Sequence, residues 1–134
     1  VYTALLDYES SLVPRVREAM ASVGDVPAFV RAWRAKQLEY AQLTNSLPGG
    51  RLPFRLVTRR ALEYTAAKAG LRLAAQAFDR LTAAWDALAP WPEADDTLSR
   101  LKARGYELGL LSNGDEDMLR VLVGSWSVQP GKPC

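Results

Sequence analysis

The chain has 134 residues, 49% of them hydrophobic and 24% charged, an ordinary globular composition that can bury roughly two-thirds of its unfolded surface in one domain, or one domain plus part of another. Its 17 basic and 15 acidic residues leave a net charge of +2, spread along the chain, so no footprint for nucleic acid stands out, and the small cluster Arg51, Arg55, Arg59 and Arg60 suits the wet face of an amphipathic helix better than a phosphate patch. No histidine is present, which excludes Ser-His-Asp and Cys-His catalysis and the usual zinc sites; the single cysteine, Cys134, excludes an internal disulfide and suits a cytoplasmic protein, and no secretory leader or membrane-length apolar run of ~18 residues is expected.

In chain order, Val1 to Leu6 is short, apolar and partly β-branched or aromatic, the pattern of a strand end running into Asp7. Ser10 or Ser11 then caps a helix through Met20, with Pro14 in its first turn and Gly24 after its end. Asp25 caps a second helix with Pro27 at its start, and Val26, Phe29, Val30, Trp33, Leu38 and Ala41 fall at helical spacing. Asn45 to Gly50 forms a turn. A third helix covers Pro53 to Ala69 and stops at Gly70; a fourth covers Ala75 to Leu88 and stops at Pro90. Each is too amphipathic to stand alone, so the four predict a compact bundle.

Pro90-Trp91-Pro92 reads as a stiff hinge, after which the grammar changes. A helix from Glu93 to Arg104 ends at Gly105, an apolar strand follows over Tyr106 to Leu111, and a turn leads into a short helix from Asp115 to Val123. Gly124 to Cys134 has no period and is expected to be irregular. Two strands alone make an incomplete, marginal sheet. The fold class is therefore a mostly α chain: a helical bundle flanked by pieces of an α/β core.

Two groups of residues suggest chemistry. Arg34, Gln37, Leu38 and Ala41 share one arc of the second helix, where a two-pronged guanidinium beside an amide and an aliphatic chain suits a small anion with an apolar tail. The alternative places Arg34 in a surface ion pair with Glu39 or an acid of another helix. Ser112-Asn113-Gly114 follows an apolar strand and precedes a helix, a position where backbone N–H groups hold anions in α/β folds. Ordinary turn and capping chemistry explains the same residues equally well.

Taken together, Trp33-Arg34-Ala35-Lys36-Gln37-Leu38-Glu39-Tyr40 and Leu111-Ser112-Asn113-Gly114 resemble the type II (L-specific) 2-haloacid dehalogenases of the haloacid dehalogenase superfamily. Phe54-Arg55-Leu56-Val57-Thr58 with Ala61-Leu62, and Leu101-Lys102-Ala103-Arg104-Gly105, support the same alignment over Val1 to Val123. The resemblance implies a Rossmann-like core closed by a helical cap. In this chain it makes 1–7 the first core strand, 8–90 the cap, 91–123 part of the core and 124–134 a tail.

It also implies a reaction in which an aspartate ending the first strand displaces halide from a small L-2-haloacid, such as haloacetate or 2-chloropropionate, and leaves an ester that water hydrolyses. By position Arg34 receives halide and holds substrate, Ser112 binds the substrate carboxylate, Asn113 helps cradle halide, and Leu38 and Phe54 line the apolar pocket. No metal or other cofactor is implied, in contrast to the superfamily's magnesium-dependent phosphatases. No nucleic-acid or membrane partner is implied either, and a homodimer is compatible with it.

The family's first motif, Asp-x-Tyr-Gly-Thr-Leu, is matched only in its later part by Tyr2-Thr3-Ala4-Leu5, so the nucleophile falls immediately before Val1; Asp7 corresponds to a further acid rather than to the nucleophile. Gly131-Lys132-Pro133 echoes the family's lysine segment at a shorter spacing, which makes Lys132 the candidate lysine. The expectation is a copy truncated or frame-changed at both ends and inactive as it stands, because losing the nucleophile costs on the order of 10⁴ to 10⁶ in turnover. Two alternatives stand beside it: a superfamily phosphatase, and a non-catalytic helical module that binds carboxylates or dimerises.

Overall fold

The computed structural model describes residues 1–46, 48–124 and 126. Four helices pack in a closed ring: α1 (Tyr8–Ala19), α2 (Val26–Asn45), α3 (Phe54–Lys68) and α4 (Ala75–Ala83), each against the next and α4 back against α1. A 3₁₀ turn, Ala84–Ala87, continues α4 and packs on α1; α5 (Ala94–Ala103) and α6 (Glu116–Val123) follow, and α6 lies against the same turn.

Local rules account for most boundaries. Asp25 accepts the Ala28 N–H at 2.9 Å and caps α2. Both α3 and α5 end in a glycine at positive φ, Gly70 (70°) and Gly105 (86°). Behind each, the next residue's N–H reaches back five positions, Leu71 to the Ala66 carbonyl at 2.9 Å and Tyr106 to that of Leu101 at 3.2 Å, which is the Schellman closure only a left-handed residue permits.

At α1 the expected cap lies three or four residues late. The cap is Asp7, whose Oδ1 accepts the Ser10 N–H at 3.0 Å. Ser11 is used elsewhere, its hydroxyl accepting the Ala89 N–H at 3.0 Å. Pro14 thus lies inside the helix, not in its first turn, and α1 closes at Met20, before Gly24. The fourth helix also ends early, because its last turn tightens to 3₁₀ and brings Trp85 inward.

The two expected strands differ more. Residues 2–5 form a turn, closed by the Leu5 N–H to the Val1 carbonyl at 2.9 Å. Within this stretch Leu6 makes a β-bridge, antiparallel to Pro90, flanked by Asp7 N–H to Ala89 O (2.9 Å) and Trp91 N–H to Leu5 O (3.0 Å). The segment 106–111 is not a strand: it has no ladder partner among the described residues, and Leu111 stands 83% exposed. A strand exists only through its neighbour's hydrogen bonds, which apolar pattern alone does not supply. The expected partial core sheet is therefore a single bridge among the described residues.

The core sits inside the helical ring and runs under the 3₁₀ turn to α6, with Leu6, Leu12, Trp33, Phe54, Leu62, Leu81, Trp85 and Met118 fully buried. No helix among the described residues is long and apolar enough to cross a membrane.

Candidate functional site

The inward stripe of α2 reads Val26, Phe29, Val30, Trp33, Arg34, Gln37, Ala41 and Thr44, so two strongly polar side chains sit where periodicity asks for apolar ones. Arg34 is only 8% exposed. Its Nη1 donates to Gln37 Oε1 at 2.5 Å and its Nη2 to Thr3 Oγ1 at 3.0 Å. Gln37 Nε2 donates to Thr58 Oγ1 at 2.6 Å, the Thr58 hydroxyl donates to the Phe54 carbonyl at 2.8 Å, and the Trp33 indole N–H holds the Thr58 carbonyl at 2.9 Å. This chain of hydrogen bonds fixes both terminal nitrogens of the guanidinium, so it is held in one orientation.

Three rings surround the guanidinium, with Trp85, Tyr2 and Tyr8 centroids 5.6, 5.9 and 6.0 Å from its central carbon. The rings attract the cation but supply no formal charge. Among the described residues no carboxylate pairs with Arg34; Glu39, the acid considered for it, binds Lys36 at 2.7 Å instead. Nε of Arg34 is buried without a partner among the described residues. Burial pushes the arginine's pKa down, the signature of a cation short of compensation, yet a guanidinium remains charged. The guanidinium is thus fixed and desolvated, with a positive charge that no carboxylate among the described residues neutralises.

Tyr2 joins this cage to the rest of the site. Its buried ring stacks on Phe54 at 5.2 Å and meets Trp85 edge-on at 5.8 Å. Burial, then the Asp86 and Asp115 carboxylates, raise the phenol's pKa, so it stays neutral. A Cβ on Gly114 would lie 2.7 Å from the Tyr2 hydroxyl and 3.0 Å from Leu119, so only glycine lets the turn approach this closely. Gly114→Ala is expected to lower stability by about 1–3 kcal/mol through overpacking, read as a fall in Tm. An unchanged Tm would mean the turn does not sit on Tyr2.

In that turn Ser112 Oγ accepts the Gly114 N–H at 3.1 Å, and Asn113 is exposed while its carbonyl accepts from Arg51 Nη2 at 2.6 Å. The expected residues therefore gather unevenly. Arg34 and Phe54 both touch Tyr2, and the Ser112-Asn113 turn reaches Tyr2 through Gly114. Leu38 is 38% exposed at the edge of α2, and the apolar wall around Arg34 consists of aromatics. Asp7 is occupied as a helix cap. Lys132 and Cys134 lie outside the described residues.

Arg51, Arg55 and Arg59 all carry carboxylate partners: Asp115 for Arg51 at 3.1 Å, Asp86 and Asp117 for Arg55 at 2.5 and 3.0 Å, and Glu63 at 3.0 Å together with Asp79 for Arg59. Arg55 and Arg59 thus lie on the polar face of α3, whereas Arg51 precedes that helix; all of these pairs except Arg59–Glu63, which stays within α3, bridge different segments. Thr3, Tyr8, Thr58 and Trp85 are site residues that sequence reasoning missed. Only Thr58, a hydroxyl within the apolar stripe of α3, left a local trace.

Residues 5–125 match the model of the haloacid dehalogenase-like hydrolase family. The (S)-2-haloacid dehalogenase of Pseudomonas putida is 37% identical over 123 residues, which cover 92% of this chain and 52% of that protein. That of Pseudomonas sp. (strain YL) is 36% identical over 132 residues, 98% of this chain and 55% of the relative. The chain therefore spans about half the length of these curated relatives. Among solved structures, the L-2-haloacid dehalogenase of Xanthobacter autotrophicus with chloropropionic acid covalently bound aligns with a TM-score of 0.78 and 35% identity, covering 92% of this chain and 48% of that one.

Proposed function

The chain belongs to the haloacid dehalogenase-like hydrolase family, and we propose that it carries the anion-holding half of a hydrolase that cleaves the carbon–halogen bond of small L-2-haloacids. Arg34 carries this reading: a guanidinium 8% exposed, gripped by Gln37 and Thr3, walled by rings and lacking a carboxylate partner among the described residues. Displacement of halide needs positive charge where negative charge develops on the departing atom, in a place that excludes water, and a fixed guanidinium between aromatic faces provides both.

The chemistry proposed is covalent. An aspartate carboxylate oxygen attacks C2 of the haloacid, the carbon–halogen bond breaks, and halide leaves with the bonding pair. Water then adds to the ester carbonyl, and the 2-hydroxyacid departs as the aspartate is restored. The position assigned to that aspartate immediately precedes Val1. Thr3, whose hydroxyl accepts from Arg34 at 3.0 Å, is then three residues further along, so the short stretch that supplies the attacking oxygen also touches the halide receptor on α2.

On this reading the helices over 8–90 form a cap, 91–123 belong to the core, Ser112 and Asn113 hold the substrate carboxylate and halide, and Leu38 and Phe54 contribute apolar lining. The protein is cytoplasmic, has no nucleic-acid partner and forms a homodimer; a monomer by light scattering would remove that last element. The main test is calorimetric titration with (S)- and (R)-2-chloropropionate, joined to a halide assay on a chain carrying Phe-Asp ahead of Val1 and a complete carboxyl-terminal half. Preferential binding of the (S) form and metal-free halide release are expected. No halide from any short 2-haloacid, or magnesium-dependent cleavage of a phosphate ester instead, would overturn the reading.

A further inference from the structure

Asp115 stands at the N-cap of α6 but makes no side-chain bond to that helix. Both of its oxygens cross to α3: Oδ1 accepts the Phe54 N–H and Oδ2 the Arg55 N–H, each at 2.9 Å. Those are the first two amides of α3, whose own cap residue, Pro53, supplies no side-chain acceptor. Arg51 clasps the same turn from outside, its Nη2 lying 2.6 Å from the Asn113 carbonyl, 3.1 Å from that of Gly114 and 3.1 Å from Asp115 Oδ1.

We infer that Asp115 is a positioning residue that locks the Ser112-Asn113 turn to Phe54, so that the polar and apolar sides of the site are set by one carboxylate. The inference rests on the proposed haloacid reading for its ligand, though not for its geometry. A serine or asparagine at this place would offer one good acceptor; the carboxylate satisfies two amides at once and attracts Arg51 as well. The consequence for the site runs through Gly114. Its N–H donates to Ser112 Oγ at 3.1 Å, which uses an oxygen lone pair and leaves the Ser112 proton free to be donated to an anion. Phe54, at the other end of the lock, stacks on Tyr2, and Tyr2 lies beside Arg34.

The test combines amide hydrogen exchange with titration of the same chain by (S)-2-chloropropionate and by chloride, in wild type, D115A and D115N. In D115A, faster exchange is expected at Phe54, Arg55 and Gly114 together. Chloropropionate affinity, which draws on Ser112 for its carboxylate, should fall roughly tenfold, and chloride affinity, which Arg34 carries with help from Asn113, by a smaller factor. D115N keeps the side chain's size and one accepting oxygen, so intermediate values are expected and the test survives if D115A does not fold. Exchange confined to Phe54 and Arg55, or unaltered chloropropionate affinity, would make Asp115 an ordinary helix cap and overturn the inference. If wild type binds no 2-chloropropionate, the haloacid reading falls, and exchange at Gly114 alone decides the role of Asp115.

Discussion

Arg34→Met is expected to abolish measurable anion binding while leaving the fold as stable as before, or more so. The two effects have opposite signs for one reason. In the free protein the guanidinium is buried, and among the described residues its Nε has no partner and no carboxylate compensates its charge. Such a group costs folding free energy, and replacing a buried ion by an apolar side chain of similar length is commonly neutral or stabilising. The exception is Gln37, whose Oε1 loses the donor at 2.5 Å, a loss of about 1–3 kcal/mol that offsets part of the gain. Once an anion is bound the balance reverses, and removing one partner of a desolvated charged contact costs about 2–5 kcal/mol, a factor of roughly 30 or more in affinity. Arg34→Lys keeps the charge but cannot reach Gln37 and Thr3 with two arms, so its affinity should fall between. Thermal unfolding with and without 2-chloropropionate separates the readings. An Arg34→Met variant that melts several degrees lower and still binds would show that Arg34 serves the core and not a ligand.

Arg34 was singled out by the arc it shares with Gln37, Leu38 and Ala41 and by the resemblance of the run Trp33 to Tyr40, whereas its burial shows only in the structure. Arg34 and Gln37 interrupt the run from Val30 through Trp33 to Ala41, and a polar pair in an apolar stripe must find partners or a purpose. Caps and stops such as Asp25, Gly70 and Gly105 were legible for a simpler reason, since each acts within five residues of itself. Ambiguity entered where several residues of similar chemistry compete: Ser10 and Ser11 were expected to cap α1, but Asp7 does so by accepting the Ser10 N–H, while Ser11 is taken by Ala89, far along the chain. Asp115 is the same lesson at larger scale, a residue that looks like the cap of the helix it precedes while serving one about sixty positions earlier. The segment 106–111 has the apolar pattern of a strand and is none, because strand formation belongs to the pair. The aromatic cage could not be read at all: Tyr2, Tyr8 and Trp85 meet around Arg34 only after the bundle closes.

Trp85 is where the largest loss of stability is expected. It is wholly buried, edge-on to Trp33 at 5.4 Å and to Tyr2 at 5.8 Å, and stacked on Tyr8 at 6.2 Å. Those three rings come from α1, α2 and the chain's first turn, so one indole ties three separate segments together. Truncation to alanine removes the transfer free energy of the ring, leaves a cavity that three fixed aromatics cannot fill, and loses their edge and stacking contacts; Trp85→Ala should cost about 3–5 kcal/mol. Against a total of roughly 5–15 kcal/mol for an ordinary domain, that is enough to lower Tm by on the order of 10–20 °C or to prevent folding. Trp85→Phe separates packing from polarity. The indole N–H has no hydrogen-bond partner among the described residues, so phenylalanine forfeits area and no bond seen there, and a milder loss of about 1–2 kcal/mol is expected. The same ring also faces the guanidinium, so even a folded Trp85→Phe variant should bind 2-chloropropionate more weakly, as water gains access to the charge that the indole formerly shielded. If Trp85→Ala melted within a degree or two of wild type, the bundle would not be built around this residue, and the wall assigned to Arg34 would lose its support.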